Sequence, residues 1–284
     1  MEITVLGSGG NAPIPMPTCH CRVCDEAREK GEPYARRGNS LFVHDENILI
    51  DAPELVWHSL NRERIEQVDY IFLSHFHADH TLGLRALQSL ALENLPLTDF
   101  VGETPTLVTS PETYERAIEA SEFFQILTGQ WADTELLEDG ESTRIGELEL
   151  THIAAEIEEG GDKDISGFLF EEGGASVFVS PDENRHFELD RLPPLDLWIK
   201  ETGYFRKSPD GELLVTEEAE EAVLAHEMTF EESLAQVRER QPTRTVFTEI
   251  EELYRRSYDD YRRLEREYDG LNVRFAYDGM RIEV

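Results

Sequence analysis

One segment constrains this chain more than any other: Ser74-His75-Phe76-His77-Ala78-Asp79-His80, three imidazoles and a carboxylate within a few residues. It follows Asp69–Leu73, a compact apolar run that reads as a strand, so the cluster sits at a strand's carboxyl end. In extended backbone alternate side chains project to one side, which lets His75 and His77 share a metal. Where the chain turns into the next helix, Asp79 and His80 can point at a second metal a few ångströms away. Imidazole and carboxylate suit zinc, manganese or iron, and two adjacent divalent ions can activate a water and offset the charge of an oxyanion. The plain alternative is a loop that is rich in histidine by chance, and it gives no reason for the apolar strand before the cluster or the leucine periodicity after it.

The flanking pattern is that of an α/β chain. Glu2–Leu6, Ser40–Val43 and Asn47–Asp51 read as strands, and Thr81–Leu92 has the leucine spacing of a helix starting beside the cluster. A strand over Pro105–Thr109 and a helix over Glu112–Ile126 complete the first half. The second half repeats the scheme, with strands at Glu147–Ile157, Ser166–Phe170, Ala175–Val179, Leu195–Ile199 and Arg244–Ile250, and closing strands at Asn272–Tyr277 and Met280–Val284. Thr229 with Glu232, and Ser257 with Asp260, have capping-box spacing for two late helices. Glu158–Asp164 and Lys207–Glu212 read as surface connections. This order suits two sheets packed face to face with helices outside, in one domain over residues 1–284.

Charge narrows the partners. The chain carries 60 acidic against 26 basic residues, a formal charge of -34, and its lysines are only Lys30, Lys163, Lys200 and Lys207. The acidic residues are spread along the whole chain, a bias that resembles proteins of extreme halophiles, whose acidic surfaces stay soluble in concentrated salt. Such a surface repels nucleic acid and anionic membranes, and an anionic substrate would need a metal to reverse the local field. No stretch approaches the roughly 18 consecutive apolar residues of a membrane helix, and Met1–Val5 reads as a first strand rather than a secretory leader. The expectation is a soluble, cytoplasmic protein with no nucleic-acid or membrane partner, for which a homodimer stays open.

The cysteines are Cys19, Cys21 and Cys24, all within a Cys-rich loop at about 15–30. An odd number packed so tightly is a poor disulfide framework and a good thiolate clamp for a structural metal, which needs one more ligand to close a tetrahedron. His20 is a local competitor for that place, but it lies between two ligands and would most easily point away.

His-x-His-x-Asp-His is the signature of the metallo-β-lactamase superfamily, and the chain resembles it over nearly its whole length. Leu6-Gly7-Ser8-Gly9-Gly10, Cys19-x-Cys21-x-x-Cys24, Ile50-Asp51 and Tyr277-Asp278-Gly279-Met280 are similar to the phosphoribosyl cyclic phosphodiesterases and, more distantly, ribonuclease Z. The pyrroloquinoline quinone biosynthesis B protein shares the Cys cluster, a segment similar to Asp79–Leu84, and the Asp-Gly-Met ending. The resemblance implies an αββα sandwich of two mixed sheets, two active-site divalent metals and one structural zinc. It implies that Asp182 bridges the two metals beside His75, His77, Asp79 and His80. It also implies that His226 protonates the leaving oxygen, so that Asp79 and His226 are the catalytic pair.

The chain departs from the family at three places. Where the family has Thr-His-x-x-His, this sequence reads Thr248-Glu249-Ile250-Glu251-Glu252. Glu249 would then take the place of an active-site histidine and Glu252 that of the structural zinc's fourth ligand. The family's histidine on the strand before the bridging Asp is also missing, with Glu156 and His152 as the nearest candidates and Glu156 preferred. Arg36, Arg37, His44, His58 and His186 receive no role. The implied function is a metal-dependent phosphodiesterase acting on a small cyclic or nucleotide-like phosphate ester. The alternatives are a thioester or lactone hydrolase, or a cofactor-biosynthesis or binding protein that keeps only the structural metal.

Overall fold

The computed structural model describes residues 1–92, 103–155, 165–223 and 227–284. Its strands are, in chain order, β1 (Glu2–Gly7), β2 (Ser40–Val43), β3 (Ile48–Ile50), β4 (Tyr70–Phe72), β5 (Thr106–Thr109), β6 (Asp133–Leu136), β7 (Ser142–Ile145) and β8 (Leu148–Ala155). They continue as β9 (Ile165–Glu172), β10 (Ala175–Ser180), β11 (Leu197–Glu201), β12 (Arg244–Thr248), β13 (Val273–Phe275) and β14 (Arg281–Glu283). One seven-stranded sheet runs β14-β1-β2-β3-β4-β5-β6, and a second runs β13-β12-β11-β10-β9-β8-β7. Both are mixed: β3 to β6 are parallel in the first, and β10 to β13 are parallel in the second.

Period-two alternation explains the layering. Ile48 and Ile50 of β3, Phe72 of β4, Val177 and Val179 of β10, and Leu197 and Ile199 of β11 all enter one core between the sheets. Their neighbours face outward, where Leu49 and Ile71 pack under the helices of the first sheet, and Phe178 and Trp198 pack under those of the second. Strands apolar on both faces have to be covered on both, so helices close the outer sides and give the αββα sandwich. Burying each such Ile, Leu or Val stabilises the fold by roughly 1.5–3 kcal/mol before entropy is counted.

Two expected helices are different in the structure. The leucine-spaced segment 81–92 is a short helix Ala78–Thr81, a 3-10 turn Leu82–Arg85 and a second short helix Ala86–Leu90. Gly83 sets the break: its N–H donates to Ala52 O at 2.7 Å, and a Cβ there would stand 2.0 Å from Pro53 O. The expected helix 112–126 is two helices, Pro111–Ala120 and Glu122–Trp131. Ser121 divides them by taking extended backbone and accepting from Phe124 N, so its hydroxyl starts a new helix. Both capping boxes are present, on the helices Phe230–Arg240 and Tyr258–Glu267. The connection 158–164 and the last residues of the expected strand 147–157 lie outside the described residues.

Candidate metal centre

The functional side chains gather at the carboxyl ends of the parallel strands, where open α/β sheets present their loops. β3 leads into Asp51, β4 into Ser74 and His75, β10 into Asp182, and β12 into Glu249. Besides an all-carboxylate group of Asp182, Glu201 and Glu227, two donor groups that carry histidines result. His75, His77 and Asp182 form one, Asp79, His80 and Glu249 the other, each with its donor atoms within 4.8 Å of one another. Asp182 belongs to both, since its Oδ2 stands 3.4 Å from His75 Nε2 and 3.6 Å from His80 Nε2.

These separations fit divalent ions. A tetrahedral zinc with arms of about 2.0–2.1 Å needs donors roughly 3.3 Å apart. Around His80 Nε2, Asp79 Oδ2 at 3.5 Å and Asp182 Oδ2 at 3.6 Å have this spacing, while His75 Nε2 and His77 Nδ1 are closer, at 2.9 Å. His80 Nε2 and Glu249 Oε2 are buried and have no hydrogen-bond partner among the described residues. Buried polar atoms are rarely left so, and a cation shared by these donors would satisfy both.

Asp51 holds Ser74 and the His80 ring in place. It is 1% exposed and accepts from Ser74 N, Ser74 Oγ and His80 Nδ1, each at 2.8 Å. The bond to Nδ1 leaves the His80 Nε2 lone pair facing the carboxylates, the arrangement of a carboxylate-oriented metal ligand. Burial pulls the His80 imidazole down, but the Asp51 charge and hydrogen bond outweigh it and its pKa ends raised. Burial, with the neighbouring imidazoles, holds His75 well below the usual range, so it is neutral and able to donate a lone pair. Burial and the surrounding carboxylates push Asp182 and Glu249 well above the usual carboxylate range. Without a cation this cluster is self-repelling.

The centre opens into a cavity of about 910 Å³. Eight carboxylates line it, Asp79, Asp182, Glu183, Glu201, Glu212, Glu227, Glu249 and Glu251, against one guanidinium, Arg255. Glu227, which groups with Asp182 and Glu201, is pushed up to about 8 by burial and by Glu201 and Glu183. Leu213 and Leu253 form an apolar part of the wall and are 63% and 51% exposed.

The cysteines make a second group with Glu252. Cys21 caps the helix Arg22–Lys30 by accepting from Cys24 N, and Cys24 Sγ accepts from Met16 N at 3.3 Å. Glu252, fully buried, lies 2.8 Å from Cys21 Sγ and 3.6 Å from Cys19 Sγ, and Arg255 pairs with it. Burial pushes the Cys24 thiol up to about 12 and raises Cys21 as well, so a metal entering here would displace protons. His20 points away, 82% exposed beside Asp25.

The structure thus brings together His75, His77, Asp79, His80, Asp182 and Glu249, and separately Cys19, Cys21, Cys24 and Glu252. His152 stays apart, because its ring nitrogens bond to Ser166 Oγ at 2.8 Å and Glu138 O at 3.2 Å on the strand. Glu156 and His226 lie outside the described residues. Sequence reasoning gave no role to Asp51, Glu201 or Glu227, which a strand end and a cavity wall bring to the site from distant parts of the chain. Arg36 is a core residue whose guanidinium donates to Ser8 Oγ and Ala276 O, and Arg37 pairs with Asp278.

Two mixed seven-stranded sheets, outer helices and a histidine–carboxylate cluster at the strand ends define a protein of the αββα class with a candidate metal centre. A family model, the beta-lactamase superfamily domain, matches residues 46–250, and the chain belongs to this metallo-β-lactamase superfamily. Zinc-bound PqqB from Methylobacterium extorquens has the same fold, with a TM-score of 0.71 at 16% identity over all of both chains. A diphosphatase of the PhnP family aligns at TM-score 0.70 and 22% identity, covering 100% of this chain and 97% of its own. Human tRNase Z, short form, aligns at 0.63 and 15%, covering 100% and 99%. The three relatives implied by the motifs are therefore relatives in fold. A curated octanoyltransferase of Porphyromonas gingivalis is 34% identical over 93 residues, 32% of this chain, and the chain spans only 18% of that protein's length.

Proposed function

We propose that the protein is a phosphodiesterase acting on a small cyclic or nucleotide-like phosphate ester of low charge. The observation that carries this reading is Asp182, whose carboxylate stands between two donor groups and so suits a bridge between two ions. Such ions, when bound, polarise a water and offset the charge that develops on the reacting phosphoryl group. The chain's own residues do the rest. Asp51 orients His80, burial keeps His75 neutral, and the carboxylate wall holds polyanions away. His226 is the proposed donor of a proton to the leaving oxygen, and its neighbour Glu227 lines the cavity.

The test is hydrolysis of bis-p-nitrophenyl phosphate by protein loaded with zinc or manganese in high salt. Turnover is expected in the wild type and a loss of at least about 100-fold in His77→Ala, the scale of removing a group that stabilises the transition state. No turnover with either metal would remove the reading.

The acidic, partly apolar cavity also favours a second reading. Two divalent ions bring four positive charges against eight lining carboxylates and one arginine, which leaves the cavity acidic. An uncharged thioester or lactone meets no repulsion there, and a parallel assay with these esters separates the two. A cofactor-biosynthesis or binding protein holding only the Cys-bound metal would contain about one zinc per chain.

A further inference from the structure

The two halves of the strand-end cluster are chemically unlike. His75, His77 and Asp182 offer two nitrogens and one oxygen, whereas Asp79, His80 and Glu249 offer two oxygens and one nitrogen. Asp182, 3.6 Å from His80 Nε2, adds a further oxygen to the second half. Glu249 creates the difference, and three separate features aim it there. Its side chain is buried, with Oε2 lacking a hydrogen-bond partner among the described residues. Its backbone has φ of 56°, the left-handed region that a non-glycine residue enters at a cost. Opposite it, Gly10 leaves the room it occupies, because a Cβ there would stand 2.4 Å from Glu249 Oε1 and 3.0 Å from Glu251 Cγ. The two loops are tied together by Ile250 N donating to Ser8 O and Glu252 N to Ala12 O, both at 2.9 Å.

Carboxylate oxygen is a harder donor than imidazole nitrogen and suits manganese or magnesium, while imidazole suits zinc. For a fixed ligand set zinc still binds more tightly than manganese, so Glu249 does not invert that order everywhere; it narrows the gap at one position. We propose that the centre is asymmetric, with zinc held by His75 and His77 and a harder divalent cation, manganese being the probe, held by Asp79, His80 and Glu249. This rests on reading the strand-end cluster as a metal pair.

Full-length protein stripped with chelator is given three equivalents of zinc together with a large excess of manganese, desalted, and measured by elemental analysis and manganese electron paramagnetic resonance. The expected wild-type content is about two zinc, one of them at the cysteines, and about one manganese per chain. Glu249→His is expected to lose manganese affinity by at least about tenfold and to take a third zinc in its place. Gly10→Ala, which displaces Glu249 without altering a ligand, should weaken manganese and leave zinc unchanged. Glu249→Gln reports the same loss if the histidine variant does not fold. Three zinc in the wild type with manganese unable to enter, or manganese affinity indifferent to every change at 249 and 10, overturns the inference. One zinc per chain in the wild type removes the metal-pair reading itself, a distinct result. Because metal content is the readout, inactivity toward phosphodiesters would leave the inference standing and count only against the proposed substrate.

Discussion

At the scale of single residues the arrangement depends on Asp51 as much as on the histidines. Its carboxylate accepts three hydrogen bonds from Ser74 and His80, in a left-handed turn with φ of 57°. Asp51→Asn keeps the shape but removes the charge and one acceptor. It is expected to weaken metal binding at the His80 position by about 10- to 100-fold, the usual effect of losing an orienting partner. Competition with a chromogenic chelator measures this, and a change under twofold would contradict it. Asp51 stood in the sequence only as part of a family likeness. Its role becomes visible once β3 and β4 pair and bring it beside a residue 23 positions on. The contiguous ligands from His75 to His80 could be read directly, since neighbours in the chain remain neighbours in space. Glu249 and Glu252 came from the family pattern, but what delivers them, Gly10 and the Ser8–Ala12 backbone, lies over two hundred residues away in the chain.

At the scale of elements, local signals were legible where a short stretch decides the outcome. The strands β1, β2, β4, β5 and β10, and both capping boxes, follow from apolar runs and cap spacing that need no distant partner. The polar edge strands β6 and β7 carry no such signal, because Asp133–Leu136 and Ser142–Ile145 lie at the rims of their sheets and expose most of their side chains. The break at Gly83 was equally hidden, since its cause is the carbonyl of Pro53 on another loop. The Cys loop is an element in its own right, joining the helix Arg22–Lys30 to the segment that carries Glu252. Cys24→Ser is expected to lower the zinc content by about one per chain and to speed amide exchange in that helix, with the strand-end metals retained. Unchanged zinc content, measured on the desalted variant, would contradict a metal role for the cysteines.

At the scale of the whole molecule, the formal charge of -34 is a field that every other feature has to live with. Repulsion among surface carboxylates opposes the compact state, and salt weakens it as the Debye length falls from about 10 Å at 0.1 M to about 3 Å at 1 M. Raising KCl across that range is expected to stabilise the fold by about 2 kcal/mol, which at this length is roughly 4–8 °C in melting temperature. A melting temperature that falls with KCl would contradict the reading of the surface as adapted to salt. The same field makes the cavity a poor host for polyanions and a strong attractor of cations, which joins the surface composition to the chemistry at the strand ends. The most direct test of that chemistry is anomalous diffraction at the zinc and manganese edges from crystals soaked with both ions. A zinc peak is expected between His75, His77 and Asp182, a manganese peak between Asp79, His80 and Glu249, and zinc at Cys19, Cys21, Cys24 and Glu252. Anomalous density at the cysteines alone would contradict it.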